Sequence, residues 1–205
     1  MDERGLGQAG RCFIADTHLE ECLTCYNERR KQLATTEPNE AHRLIADLEK
    51  DYDVTVITQN VDDLHERAGS TDVLHLHGEL TKVCSKDHRW DPRYVSDYPL
   101  TTPIHVGDTA GDGAQLRPYV VLFGEQVPGI ILAADTISRA DILVVVGTSL
   151  TVYPAACLIN EAPDGIPRYI IDPNDMPKCN GLGFTHLKAK ASEGMRQLTD
   201  QLKDR

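Results

Sequence analysis

The chain's 205 residues suit one well-buried main domain with room for a small appended lobe, and not two full domains. Lys+Arg 21 against Asp+Glu 32 leaves a formal net charge of -11, which opposes the positive field that a phosphate backbone requires, so nucleic acid is not expected as a partner. Hydrophobic content is 40% and no apolar run approaches the roughly 20 residues of a bilayer span, which excludes the membrane as a home.

Met1 to Gly10 has no apolar stretch of the kind a secretory signal needs, so the expected location is the cytoplasm, a reducing compartment. The six cysteines are scattered, a poor basis for a disulfide framework, and are expected to be free thiols. Gly5-Leu6-Gly7-Gln8-Ala9-Gly10 has GxGxxG spacing but lacks the hydrophobic strand that this motif must follow. Next, Ala41, Leu44, Ile45 and Leu48 recur at helical spacing after Asn39, a good N-cap. A β-branched run over Val54–Thr58 predicts a strand, and a helix should follow over Val61–Ala68. From Cys84 to Gln115 prolines, glycines and charges break the periodicity, which predicts an irregular insertion. Beyond it the spacing predicts helix Ile130–Ala140, strand Ile142–Val146, helix Pro154–Glu161, strand Arg168–Ile171 and helix Glu193–Leu202. Buried strands alternating with helices indicate an α/β class: an open, doubly wound, Rossmann-like parallel sheet with a small irregular lobe or insertion.

In such sheets ligands sit beyond the carboxyl ends of the strands. The first strand runs into Gln59-Asn60-Val61-Asp62-Asp63, whose amides and acids can bond ribose hydroxyls and a carboxamide, or can cap the helix that follows. The second opens into Gly147-Thr148-Ser149, a possible phosphate cradle before a helix N-terminus. The third ends at Asp172, which can hold a ribose diol or form an Asx-turn. His75 and His77 should share one face of a short strand, with Gly78 leaving the second open; a general base, a metal ligand and ordinary hydrogen-bonded histidines are the alternatives, metal the weakest.

Thr58-Gln59-Asn60-Val61-Asp62, Leu76-His77-Gly78, Phe123-Gly124-Glu125-Gln126-Val127-Pro128 and Gly147-Thr148-Ser149-Leu150 stand in the order seen in the sirtuin family, which the chain resembles from Tyr26 to its C-terminus. The resemblance implies NAD-dependent removal of acyl groups from protein lysine, yielding free lysine, nicotinamide and O-acyl-ADP-ribose, with NAD as co-substrate and acylated proteins or peptides as partners. It makes His77, with Asn60 and Asp62, the catalytic group, His77 acting as base toward a ribose hydroxyl. It places Gln59, Asn60, Asp62, Gly147, Thr148, Ser149, Asp172 and Ala191 around NAD, with Asp172 standing where many members have Asn. Val121, Phe123, Gly124, Glu125 and Val152 match the segments that hold the substrate peptide as an added strand. Tyr26 and Arg29 match a Tyr-x-x-Arg pair that desuccinylase-type members use to bind an acidic acyl group, although spacing alone fits a solvated face in the run Glu28-Arg29-Arg30-Lys31.

Two departures are visible. Only Cys84 stands near the four cysteines with which many members bind zinc, so a zinc-less bacterial type, with no metal, is expected. Residues 1–25 form an atypical N-terminal segment without the family's Gly-Ala-Gly loop, ahead of a sirtuin-like domain over 26–205 that carries the small insertion at 84–115. That absence keeps open a second reading, a catalytically impaired binder of NAD, ADP-ribose or acyl-lysine. Sequence does not assign an oligomeric state.

Overall fold

The computed structural model describes residues 18–203, so the Gly5–Gly10 stretch and Cys12 lie outside the described residues. In chain order the elements are α1 (Leu19–Leu33), α2 (Glu40–Leu48), β1 (Val56–Thr58), α3 (Leu64–Ala68), β2 (Val73–His75), β3 (Gly78–Ser85), β4 (Val95–Asp97), β5 (Leu116–Val120), α4 (Ile130–Ile137), β6 (Leu143–Val146), β7 (Arg168–Ile171), β8 (Phe184–Leu187) and α5 (Ala191–Lys203), with short 3-10 turns over Pro92–Tyr94, Ala155–Asn160 and Pro177–Cys179. No helix among the described residues is long and apolar enough to cross a membrane.

The described residues divide into two compact units, one formed by residues 18–37 with Thr58–Asp63 and His77–Pro128, the other by Pro38–Ile57, Leu64–Leu76 and residues 129–203. The second is the α/β unit. There β6, β7 and β8 pair in parallel, with Leu143 opposite Arg168 and Arg168 opposite Phe184, while β1 and β2 pair as a separate two-stranded sheet. Side chains alternate along β6: Val144 and Val146 pack on a cluster with Tyr169, Ile171, Met195 and Leu198, whereas Leu143 and Val145 pack on the opposite one with Ile159, Ile170 and Cys179. Both faces are therefore apolar, as parallel strands require. Helix α5 presses so closely that a Cβ on Gly194 would lie 2.2 Å from Ile171 Cγ2. Helix α2 starts where Asn39 predicts, in a capping box: the Asn39 side chain accepts from the His42 amide, and His42 Nδ1 accepts from the Asn39 amide.

The other unit is organised by an antiparallel sheet in the order β4-β3-β5. The stretch expected to be irregular thus contributes β4 and is framed by β3 and β5, whose mutual pairing across the insertion leaves no local trace in the sequence. Leu23 of α1 packs with Val83 and Ile104 in its core. Beside them the Arg30 side chain is 0% exposed, donating to the carbonyls of Leu80 (3.1 Å), Thr102 (2.7 Å), Tyr98 (3.1 Å) and Pro99 (2.7 Å), with the Tyr98 ring 5.0 Å from its guanidinium carbon. The charged run on α1 is therefore not a uniformly solvated face. Next to Arg30, Asn27 donates to and accepts from the backbone of Ile104, fixing the same loop.

Removing a donor that serves one buried and three part-buried carbonyls costs about 1–3 kcal/mol for each acceptor that water cannot reach. Arg30→Met should therefore lower unfolding free energy in urea by at least about 3 kcal/mol, with Arg30→Lys recovering only part, while Arg29→Met stays within about 0.5 kcal/mol.

Candidate functional site

The catalytic candidate is positioned by a turn between two strands. The expected His75–Glu79 strand does not run through: β2 ends at His75, Leu76 and His77 form a turn, and β3 starts at Gly78. The two histidines consequently part company. His75 Nε2 lies 2.7 Å from Glu66 Oε1, whereas His77 Nδ1 lies 3.0 Å from the backbone carbonyl of Gln59. Gly78 is needed for a different reason from the openness expected of it: at φ +80° its missing Cβ would stand 2.1 Å from the Tyr119 carbonyl oxygen. The His77 carbonyl in turn accepts from the Val121 amide at 2.8 Å.

A carbonyl only accepts, so the proton of the neutral imidazole sits on Nδ1 and the lone pair is left on Nε2. Burial pushes the His77 pKa below its ordinary 6.5, against the smaller opposing effect of the Gln59 hydrogen bond. At neutral pH this side chain is an uncharged base with one defined basic nitrogen. The segment beside it is also fixed: the Thr58 hydroxyl accepts from the Asn60 amide at 3.0 Å, and Val61 O accepts from the Leu80 amide at 2.7 Å. Gln59 and Asp62 are half-buried and Asn60 exposed. Gln59, Asn60, Asp62, His77 and the stretch Val121–Glu125 thus belong to one unit, as do Tyr26 and Arg29.

Within Val121–Glu125 the roles divide. Phe123 is 57% exposed and Gly124 adopts φ +88°, presenting the backbone of a turn. Glu125, expected to contact substrate, points the other way: its side chain is 1% exposed and accepts from Arg117 Nη1 (2.7 Å) and Nη2 (3.3 Å), from Arg89 Nη1 and from the Leu122 amide (2.8 Å). Its carboxylate is saturated, so the side chain serves to shape the turn. Arg89 does not stand out in the sequence, because its role is defined by a carboxylate far along the chain.

The remaining candidates sit at strand ends of the α/β unit. The Gly147 amide donates to Ile171 O at 2.9 Å and is spent in the sheet, the Thr148 hydroxyl accepts from the Leu150 amide, and Ser149 Oγ lies 2.6 Å from Thr151 Oγ1. The element after them is a six-residue 3-10 turn, Ala155–Asn160, and not the α-helix expected from Pro154. Of the features expected at Gly147-Thr148-Ser149, the α-helix N-terminus is absent and the Gly147 amide is committed to the sheet, while the hydroxyls of Thr148 and Ser149 remain in the loop. Lys178 Nζ, unremarked in the sequence, holds Leu150 O at 2.6 Å where Leu150 takes φ +52°. Val152 lies exposed in the following turn. Asp172 makes the Asx-turn, its Oδ1 accepting from the Asn174 amide at 2.8 Å, and Ala191 opens α5 half-buried.

On α1, Tyr26 and Arg29 are half-buried. The Arg29 guanidinium makes no hydrogen bond or ion pair among the described residues, in contrast with its fully engaged neighbour Arg30. Among the described residues no group of three or more His, Cys, Asp or Glu side chains could hold a metal ion. Cys84 is a buried thiol that burial pushes up to about 11, donating toward Pro118 O at 3.8 Å. Beside it Ser85 Oγ donates to Asp112 Oδ2 at 2.6 Å and accepts from the amides of Asp87 and His88, while His88 Nδ1 lies 2.8 Å from the same carboxylate oxygen.

Comparison with known proteins converges on one group. A family model described as the Sir2 family matches residues 2–154. An NAD-dependent protein deacylase of Bacteroides thetaiotaomicron is 51% identical over 181 residues, covering 88% of this chain and 77% of its own. Among solved structures, a mutant Sir2 homologue in complex with ADP ribose superimposes with a TM-score of 0.78 at 34% identity, over 90% of this chain and 74% of that one. A Sir2 protein bound to a propionylated peptide gives a TM-score of 0.78 at 26% identity, over 100% and 87%.

A histidine whose folded pKa lies below 6.5 has its neutral form favoured by folding. The associated stability is fully present above the unfolded value and is lost as pH falls through the folded one. NMR titration of His77 should accordingly show a midpoint below 6.5 with the Nδ1-protonated tautomer above it, and a midpoint at or above 6.5 would contradict the burial argument.

Proposed function

We propose, from the premise that the chain belongs to the Sir2 family, that it removes acyl groups from lysine side chains of proteins and consumes NAD as co-substrate. One observation carries the reading: His77 is a neutral base whose Nδ1 is committed to Gln59 O, which leaves Nε2 to take a proton. NAD supplies the electrophilic ribose carbon and nicotinamide as leaving group. The chain's own part is to hold and deprotonate. His77 Nε2 accepts the ribose hydroxyl proton, and Asn60 and Asp62, on the segment anchored by Thr58 Oγ1 and Leu80 N, orient the ribose and carboxamide. In the α/β unit the hydroxyls of Thr148 and Ser149 and the Asp172 carboxylate suit ribose hydroxyls. The backbone of Val121, Phe123 and Gly124 takes the peptide as an added strand, a mode that leaves sequence preference broad.

The acyl group we assign is an acidic one, succinyl or malonyl. Support comes from Arg29, whose guanidinium pairs with no carboxylate among the described residues, three residues from Tyr26 on the same helix. Zinc independence belongs to the same proposal: the Cys84 thiol stays protonated at neutral pH, and Ser85, His88 and Asp112 hold one another.

Nicotinamide release from succinyl-lysine peptide should exceed that from acetyl-lysine peptide. Arg29→Met should cut the succinyl rate at least about tenfold and leave the acetyl rate within about twofold, and His77→Tyr should abolish both to about 1% or less. An acetyl preference untouched by Arg29→Met would sink the acidic-acyl assignment. NAD binding without release, indifferent to His77→Tyr, would favour the binder over the enzyme, and one zinc per chain by elemental analysis would refute zinc independence.

A further inference from the structure

The Glu125 carboxylate is held by guanidiniums from two separate parts of the chain. Arg117, on β5, reaches both carboxylate oxygens and also donates to Val120 O at 2.7 Å. Arg89 adds a second guanidinium from an unrelated part of the chain. It comes from the segment after β3, whose backbone is set by Ser85 Oγ accepting two successive amides and by the Ser85–Asp112–His88 contacts. Its neighbour Trp90 stands edge-on to Tyr119 of β5, with ring centroids 5.3 Å apart. The insertion is thereby attached at two adjacent points, an aromatic contact on β5 and a charge on Glu125. Through Oε2, Glu125 in turn holds the Leu122 amide, and its own amide returns to Leu122 O at 3.0 Å. Arg89, Glu125 and the Leu122 amide form a continuous chain from the insertion to the turn that exposes Phe123 and Gly124.

We propose that Arg89 is a positioning residue for substrate: it transmits the conformation of the insertion to the Val121–Glu125 segment and so sets the affinity for the acylated peptide. The inference rests on the reading of that segment as the peptide-binding edge. A buried carboxylate facing two guanidiniums keeps its position when one is lost only if the other suffices. Arg117 is 8% exposed and is itself tied to Val120 O, whereas Arg89 is 30% exposed, so Arg89 is the member whose loss frees the turn without emptying the core.

The test compares wild type, Arg89→Met and Arg89→Lys in the full chain by amide hydrogen exchange and by steady-state kinetics with succinyl-lysine peptide and NAD. Arg89→Met should accelerate exchange over residues 121–125 about tenfold and raise KM for peptide about tenfold, with kcat, the Kd for NAD and exchange in β6 and β7 within about twofold. Arg89→Lys should fall between. Unchanged exchange and unchanged peptide KM in Arg89→Met overturn the proposal, as does a loss of protection that spreads through β6 and β7. A wild-type chain that binds no peptide removes the function proposed above, and the exchange comparison then still decides whether Arg89 holds the turn.

Discussion

The unit that carries His77 is tied together by a cation that meets no acid among the described residues. Arg30 enters the interior from α1 and is met by four backbone carbonyls, one from β3 and three from the loop between residues 98 and 102. A guanidinium suits this task because its five N–H groups fan out in a plane and can serve several acceptors without bending. Ion-pairing would have fixed one partner; carbonyl capture fixes the path of the chain. With the 98–102 loop held against α1 and β3, the β4-β3-β5 sheet has a stable start, and the turn before β3 can present His77 in one orientation.

Charge is used in the same unit a second way, at Glu125, where two guanidiniums and an amide converge on one buried carboxylate. Burying such a group would be destabilising if any partner were missing, so the arrangement is stabilising only as a complete set. The two centres show how a lobe without a metal cluster among its described residues is ordered: by saturated hydrogen-bonding of a few ionised side chains, supported by the Ser85–Asp112–His88 contacts, in which the serine hydroxyl and then the histidine hold the Asp112 carboxyl at about 2.

What can be read from the sequence follows the range of the interactions. Arg168–Ile171 is legible to the residue because Tyr169, Ile170 and Ile171, all strand formers, lie between Pro167 and Asp172, and the Asn39 cap is legible because its partner, His42, lies within one turn. The α/β, Rossmann-like class follows from such local signals, and so do the motifs at Gln59, His77, Phe123 and Gly147. Non-local features are silent. The antiparallel pairing of β3 with β5 is separated by the whole insertion, and the different fates of Arg29 and Arg30 arise from the rotation of about 100° between successive helical residues, which charge patterning does not reveal. The saturation of the Glu125 carboxylate and the pairing of the Gly147 amide with the sheet belong to the same class, since both depend on partners brought together only by the fold.

Strand β6 shows a further consequence of burial on both faces. A half-exposed strand encodes its own alignment, since a slip of one residue would turn its apolar set toward water. Leu143-Val144-Val145-Val146 carries no such penalty, and displaced by one position it would remain nearly as well packed. The information that selects one alignment must therefore reside at its ends, where the Leu143 amide meets Pro167 O and the Gly147 amide meets Ile171 O, with a proline before β7 and a glycine after β6 as the marks that cannot be shifted. The glycine that looks in sequence like part of a ligand loop is, for the sheet, the full stop that tells an otherwise ambiguous strand where to align.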